Sequence, residues 1–456
     1  MKLKVVILAA GKGTRMRSNL PKVLHKLAHK PLVEHVIHTA QQLTPEQIVV
    51  VYGHGGDKVP QKLKHLSVDW AEQAEQLGTG HAVEQGMAKS NPEGVVLVLY
   101  GDVPLTRATT LKKLLDVGSK EKCMGLLTAK MPNPTGYGRI VRGANGRVEK
   151  IVEQKDATEA EKAIQEVNSG ILCANFGQLQ GWLSKLENKN AQAEFYLTDV
   201  IEMAVKDGIT VETVNASNLW EIDGVNNKRQ LANLERQYQR NLADNLMDAG
   251  VMLRDPSRID VRGALQTGVD VEIDVNVLFE GEVVLGDGVK IAANCIIKDS
   301  TLGNNVTILP NSIIENAKIG NDCDIGPFAR IRPDTCLADK VKIGNFVEIK
   351  KSNIAEGSKV NHLSYIGDTE MGRHVNIGAG TITCNYDGAN KHLTEIGDDV
   401  FVGSDSQLVA PVQIESGATI GAGSTITKNV PADKLTFSRI KQTTIESWSR
   451  PTKLSK

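Results

Sequence analysis

Large rings are scarce in this chain. Phe, Tyr and Trp together make up 4% of 456 residues, although hydrophobic residues reach 41%. The cores must therefore be packed with aliphatic side chains, a composition that suits a narrow interior. An excess of charge is also missing, since 53 Lys and Arg face 54 Asp and Glu for a formal net charge of −1. That excludes the global basic field with which proteins bind nucleic acid or anionic membranes without sequence preference, and it points to small-molecule partners. No apolar run near the start is long enough to be a membrane anchor. Val5 to Ala10 falls far short of the ~20 residues that span a bilayer, and no cleavage-type segment follows it. The six cysteines (Cys123, Cys173, Cys295, Cys323, Cys336 and Cys384) form neither a CxxC nor a paired framework. They read as reduced thiols of a cytoplasmic protein.

What is present falls into two halves with different periods. Up to about residue 228, continuous apolar runs (Val5–Ala10, Ile48–Val51, Val95–Tyr100, Leu126–Ala129) alternate with amphipathic stretches. Runs buried on both faces are the mark of strands between helices, so this half is expected to be a Rossmann-like, doubly wound α/β sheet. Ligands of such sheets sit beyond the carboxyl ends of the strands, which directs attention to Gly11–Arg17, Gly53 and Gly101-Asp102. Residues 229–250 place Leu231, Leu234, Tyr238, Leu242 and Leu246 at helical spacing and end on Gly250, predicting one long connecting helix. From 251 to 456 the period becomes six. Ile313, Ile319, Ile325, Ile331, Leu337, Ile343 and Ile349 recur at every sixth position, as do Ile396, Val402, Leu408, Ile414, Ile420 and Ile426. A hexapeptide repeat predicts a left-handed parallel β-helix, with small residues such as Gly320 and Gly344 at its turns. The rhythm breaks at Asn361–Tyr365 and at Cys384–Thr394, where loops are expected to emerge.

The segment Leu8-Ala9-Ala10-Gly11-Lys12-Gly13-Thr14-Arg15-Met16 follows the first strand and leads toward a predicted helix. Glycine-rich turns of this kind present successive backbone N–H groups to phosphate, and Arg15 and Lys22 add positive charge. Neither GxGxxG nor a Walker motif is met, and Gly-Lys-Gly alone is also an ordinary tight turn. The full nonapeptide with Pro21-Lys22 behind it resembles the sugar-1-phosphate nucleotidyltransferase family. That resemblance implies nucleotide-sugar contacts from Leu8, Ala9, Ala10, Gly11 and Lys22, with Gln73, Gly78 and Thr79 reading uracil. It also implies contacts from Tyr100, Gly101 and Asp102, and from Gly138, Glu153 and Asn168 to sugar and ribose. Asp102 and Asn226 would hold Mg²⁺, and Arg15 and Lys22 would serve catalysis by offsetting phosphoryl charge. Taken without the resemblance, Asp102 and Asn226 also read as capping residues, and the oxygen set leaves Mn²⁺ open beside Mg²⁺.

In the hexapeptide half, Arg332 and Lys350 interrupt otherwise small, apolar coils, and His362 and Tyr365 sit in the first break, with Asn376 in the next repeat. A lone histidine is commonly a surface residue; one set in a solenoid break beside Tyr365 is a better candidate for chemistry. Together with Asn361-His362-Leu363-Ser364-Tyr365-Ile366-Gly367-Asp368 and Cys384-Asn385-Tyr386-Asp387-Gly388, the whole chain resembles the bifunctional uridylyltransferase and acetyltransferase family that makes UDP-N-acetylglucosamine. By that resemblance His362 is the general base of acetyl transfer, and Arg332, Lys350, Tyr365 and Asn376 bind glucosamine-1-phosphate. Ala379, Asn385, Tyr386, Ser404, Ala422 and Arg439 would contact acetyl-CoA. UTP is the second co-substrate, and the β-helix would assemble a homotrimer. Two other readings stand beside this one: a nucleotidyltransferase with a purely regulatory β-helix, and a binding-only protein like the translation-factor exchange subunits that share this domain pair. The set His362, Arg332 and Lys350 argues against the first, and intact Lys22 and Asp102 against the second.

Overall fold

The computed structural model describes residues 2–53 and 55–453. The chain separates into two compact units, Met1–Tyr238 and Gln239–Lys456.

The first unit is built on a nine-stranded sheet. Its main path runs Thr210–Asn215, Cys123–Lys130, Glu166–Asn175, Val95–Tyr100, Leu3–Leu8, Gln47–Tyr52, Asp69–Glu72. Leu3–Leu8 lies parallel to both neighbours, with Val5 opposite Ile48 on one side and Leu97 on the other. Alternate residues of these runs enter separate cores. Val6, Leu8, Val49 and Val51 pack on one face, and Val5, Ile7, Ile48 and Val50 on the other. Burial on both faces is thus what made the runs continuous in sequence. The sheet is mixed, however, because Glu166–Asn175 runs antiparallel to Val95–Tyr100 and Cys123–Lys130. The hairpin Gly138–Arg142 and Val148–Val152 hangs from that strand.

The segment after the first strand corrects an expectation. In place of a helix, Thr14–Met16 forms a single 3-10 turn, entered at Gly13 (φ 59) and left at Arg17 (φ 48), both in the left-handed region. Two left-handed residues flanking three others cannot propagate a helix, so the glycine turn acts as a loop and has no helix dipole behind it. The predicted connecting helix is present as Lys228–Asp248. Leu231, Leu234 and Tyr238 pack with Met16, Leu27, Leu32 and Val225 in the first unit. Leu242, Ala243 and Leu246 pack with the core of the second.

The second unit is a left-handed β-helix of parallel strands. Ile308 pairs with Ile325 and Ile325 with Ile343, so one coil takes 17 or 18 residues. The aliphatic ladder forms one continuous core. The rung expected at Ile313 is Ile314, fully buried, with Ile313 only half-buried; the next rung, Ile319, follows after five residues in place of six, around a left-handed corner at Asn316 (φ 43). The glycines also work differently from expectation. Asn and Asp hold many left-handed corners, among them Asn294, Asn305, Asn311 and Asp322, as short polar side chains allow. Gly344 is required by stacking, since a Cβ there would lie 1.9 Å from the Asn361 carbonyl oxygen of the next coil.

The two rhythm breaks differ. Lys359–His362 and Tyr365–Met371 are regular strands around an ordinary corner at Leu363 (φ 47), so no loop emerges at 361–365. The second break does extrude a loop: Ile377 pairs with Val402, a span well beyond one coil, and Tyr386 bridges Lys391 within the excursion.

Candidate functional site

At the carboxyl edge of the first sheet a cleft of ≈ 410 Å³ is lined by Leu8, Ala9, Ala10, Gly11, Lys22, Gln73, Gly78, Thr79, Tyr100 and Asp102. All ten were expected to be nucleotide contacts. Lys12, Val23, Gln76, Ala82 and Glu194 complete the lining. The close approach of backbone sets the shape. A Cβ on Gly13 would stand 2.6 Å from Lys22 Cβ, and one on Gly78 (φ +120) 2.6 Å from the Phe195 carbonyl oxygen. Both glycines therefore allow contacts that any side chain would prevent.

Lys22, 13% exposed at its side chain, is the hub. Its Nζ donates to Asp102 Oδ2 and, at 3.2 Å, to Asn226 Oδ1, which also accepts from Arg15 at 2.9 Å. Asn226 and Arg15 thus join the cleft through Lys22, and Val225 N–H bonds the Asp102 carbonyl oxygen at 2.9 Å to fix the segment.

The residues expected to contact the sugars form an adjoining group. Gly138 pairs with Asn168 across the antiparallel strands. Asn168 Oδ1 accepts from Gly170 N–H at 2.9 Å, and Gly170 packs against the Tyr100 ring. Glu153 accepts from Thr198 Oγ1 at 3.2 Å, and burial holds its carboxyl above the usual range. Burial, with Glu153 and Asp102 nearby, likewise raises the Tyr100 phenol. Tyr137, desolvated beside Asp223, is pushed up to about 12.

In the β-helix the residues expected to serve acetyl transfer fall into two groups. One is a corner column, joined coil to coil. His362 O accepts from Gly380 N–H at 3.3 Å, Ala379 O from Asp405 N–H at 2.7 Å, Ser404 O from Gly423 N–H at 2.8 Å, and Ala422 O from the Arg439 guanidinium at 2.8 Å. His362, Ser404, Ala422 and Arg439 are exposed along it, and Asn376 begins a strand paired with Lys359 and Phe401. The other group sits around Asp368. Lys350 Nζ and Lys351 Nζ each lie 3.7 Å from its carboxylate, and Asn385 Nδ2 donates to it while approaching Tyr365 at 3.5 Å. Arg332 is held by Glu348 at 2.7 Å, and Glu348 pairs with Tyr365 across the strands. Tyr386 lies outside the Asp368 group, exposed, with its hydroxyl on the Gly388 carbonyl. Among the described residues no side-chain bond links His362 to Arg332 or Lys350.

Comparison with known proteins decides the relationship. Residues 5–164 match the MobA-like NTP transferase domain family, 261–345 the GMPPB C-terminal domain, and 393–428 six bacterial transferase hexapeptide repeats. Over 456 residues, covering 100% of this chain and 99% of the relative, it is 58% identical to Bifunctional protein GlmU of Nitrosospira multiformis. The proteins of the same description from Janthinobacterium sp. and Acinetobacter baumannii are 56% and 53% identical, each over the full length of both chains.

The chain belongs to the GlmU family.

It is accordingly a bifunctional transferase, with uridylyl transfer assigned to the NTP transferase unit and acetyl transfer to the hexapeptide unit. The β-helix of a GlmU protein carries chemistry, which sets aside both the purely regulatory and the binding-only readings. A GlmU nucleotidyltransferase works with a divalent metal, and the donor set here fits a hard cation. Asp102 and Asn226 offer two oxygens that converge on one ammonium. No group of three or more His, Cys, Asp or Glu that could hold a metal occurs among the described residues. A two-oxygen site suits an ion that keeps water and phosphate ligands. Asp368 closes the segment 361–368 that carries the resemblance but drew no role from it, and Glu348 belongs to no motif. Their partners lie one coil away, and only the coil period of 17 or 18 residues would have revealed them.

Proposed function

We propose that this chain makes UDP-N-acetylglucosamine in two steps. The β-helix acetylates glucosamine-1-phosphate from acetyl-CoA, and the first unit joins the product to UMP from UTP with release of pyrophosphate. The observation that carries the nucleotidyl half is the convergence of Lys22 on Asp102, with which it lines the cleft, and on Asn226. Asp102 and Asn226 would hold Mg²⁺, which supplies Lewis-acid polarisation of the α-phosphate. A phosphate oxygen of N-acetylglucosamine-1-phosphate, already ionised, attacks the α-phosphorus in line as the bond to the β-phosphate breaks. Lys22 and Arg15 offset charge on the equatorial and leaving oxygens. The Gly11 loop presents backbone to phosphate, Gln73, Gly78 and Thr79 seat uracil, and Gly138, Glu153 and Asn168 orient the sugars.

In the other half His362 takes a proton from the amine of glucosamine-1-phosphate as nitrogen attacks the thioester carbonyl and the thiolate of coenzyme A departs. Arg332 and Lys350 clamp the phosphate dianion, for which paired cations are the natural partner. Tyr365 and Asn376 hold the sugar, and the corner column with Asn385 and Tyr386 lies along acetyl-CoA. The active form is a homotrimer in the cytoplasm. In support, exposed Phe328 and Phe346 stack at 5.2 Å and exposed Leu363 follows on the next coil beside His362. Six free thiols accord with a reducing compartment. Domain limits near 228 and 250 frame the two activities.

Two single variants of the full chain test the assignment. Asp102→Asn should abolish pyrophosphate release from UTP and leave acetyl transfer intact. His362→Ala should do the reverse, lowering acetyl transfer by roughly 10²–10⁴-fold. Loss of both activities in either variant, or of neither, refutes the division of labour, and light scattering of the pure protein checks the trimer.

A further inference from the structure

Gln73 is 3% exposed, and its carboxamide is held from two sides. One atom of that carboxamide lies 3.1 Å from the Gly78 carbonyl oxygen and 3.2 Å from His81 Nδ1. A carbonyl oxygen only accepts, so the atom facing it is Nε2. The second hydrogen of Nε2 then points at His81 Nδ1, which must be the unprotonated ring nitrogen. The proton of a neutral His81 therefore sits on Nε2, 3.2 Å from the carboxamide of Gln85, one turn along the same helix Thr79–Met87. An N–H facing that ring proton would not bond, so Gln85 presents its oxygen there. With both hydrogens of Gln73 Nε2 engaged, Oε1 is left without a donor among the described residues, on a side chain that lines the cleft.

From this chain of contacts we infer that His81 is a positioning residue that makes the site select uridine over cytidine. The inference rests on the reading of Gln73 as a base contact. Uracil carries a proton on N3 and cytosine a lone pair. A Gln73 locked with Oε1 outward accepts from the first and repels the second. The lock works only while an acceptor stands at the Nδ1 position. Gly78 alone supplies one of the two bonds that fix the amide, and with one bond lost the buried side chain is free to turn its nitrogen toward the base.

The test is the ratio of kcat/KM for UTP to that for CTP, measured by pyrophosphate release on the full chain with Mg²⁺ and N-acetylglucosamine-1-phosphate. His81→Leu should lower that ratio by about tenfold, the worth of one hydrogen bond, mainly through the KM for UTP. His81→Asn, whose Oδ1 takes the place of Nδ1, should restore the ratio. His81→Gln, which puts its amide at the Nε2 position, should not. If His81→Leu does not fold, the contrast between Asn and Gln decides. Equal ratios in those two variants, or a wild-type ratio in His81→Leu, overturn the inference. Gln73→Ala separates the two layers. A ratio unchanged in Gln73→Ala removes the base-reading role and the inference with it. A collapse in Gln73→Ala without one in His81→Leu leaves Gln73 in place and discards His81.

Discussion

Lys22 Nζ spans Asp102 Oδ2 and Asn226 Oδ1, joining the end of the fourth strand of the sheet path to the segment that opens the long helix. Both ends of the Lys22–Asp102 pair are less than one-fifth exposed. Removing the ammonium leaves a partly buried carboxylate without its partner and, on the proposed mechanism, takes a cation from the developing phosphoryl charge. Lys22→Ala is expected to lower kcat for uridylyl transfer by roughly 10²–10³-fold, as loss of one preorganised donor does. Acetyl transfer by the same chain should be unchanged, so assaying both reactions on one preparation checks the effect.

Gly78 gives a prediction of a different kind, since its side-chain hydrogen is all the space allows. At φ +120, with Phe195 backbone atoms 2.6–2.7 Å from where a methyl carbon would sit, alanine is strained twice. Gly78→Ala should push back the carbonyl that holds Gln73 and raise the KM for UTP by about tenfold or more, from a strain of order 1–3 kcal/mol. The melting transition of the first unit should fall with it, by ~2–4 °C for each kcal/mol. Calorimetry alongside steady-state kinetics measures both.

How far such features can be read in advance differs between the two units. Val5–Ala10 and Val95–Tyr100 announced themselves because both of their faces are buried, and the six-residue ladder because each rung enters one core. Glu166–Asn175 gave no sign of its direction. Burial on two faces looks the same in parallel and antiparallel strands, and its orientation depends on pairing with residues distant in sequence. The 3-10 turn at Thr14–Met16 was missed because its limits are the left-handed Gly13 and Arg17, and no pattern marks an arginine for that conformation. Ile314 displaced Ile313 for a similar reason, the left-handed corner at Asn316. Lys22, Asp102 and Gln73 were singled out through motif resemblance, whereas Asp368, though it ends the matching segment 361–368, was given no role. Its importance lies in contacts with Lys350 and Asn385, which the coil stacks above and below it.

Glu153 links pH to stability and, through its proposed role, to the sugar. Burial raises its carboxyl pKa above the ordinary value of 4.5, so the folded state holds its proton more tightly than the unfolded chain. Folding is then favoured by this group below about 4.5, and that contribution is lost as pH rises through the folded pKa. At neutral pH the buried carboxylate is a cost. Glu153→Gln should therefore raise the melting temperature of the first unit at about pH 7.5 and do so less at about pH 4. It should also weaken N-acetylglucosamine-1-phosphate, with a rise in its KM and little change in the KM for UTP. A variant equally stabilised at both pH values would mean that burial of charge is not the cause.

Asp368 tests how the proposed acetyl site is held together. Its carboxylate, 8% exposed at the side chain, accepts directly from Asn385 Nδ2 and stands 3.7 Å from Lys350 and Lys351. The direct bond is the stronger constraint, because the two lysines sit beyond normal hydrogen-bond distance and Lys351 is largely exposed to screening. In Asp368→Asn the charge is gone, so if Lys350 binds phosphate as proposed it keeps its full pull there, and the KM for glucosamine-1-phosphate should fall or hold. Asn385 loses a charged acceptor, a bond of about 1.5–3 kcal/mol, and the KM for acetyl-CoA should rise by about tenfold or more. Initial rates with each substrate varied separately distinguish the two. A rise confined to glucosamine-1-phosphate would show that Asp368 serves the phosphate clamp and not the acetyl donor.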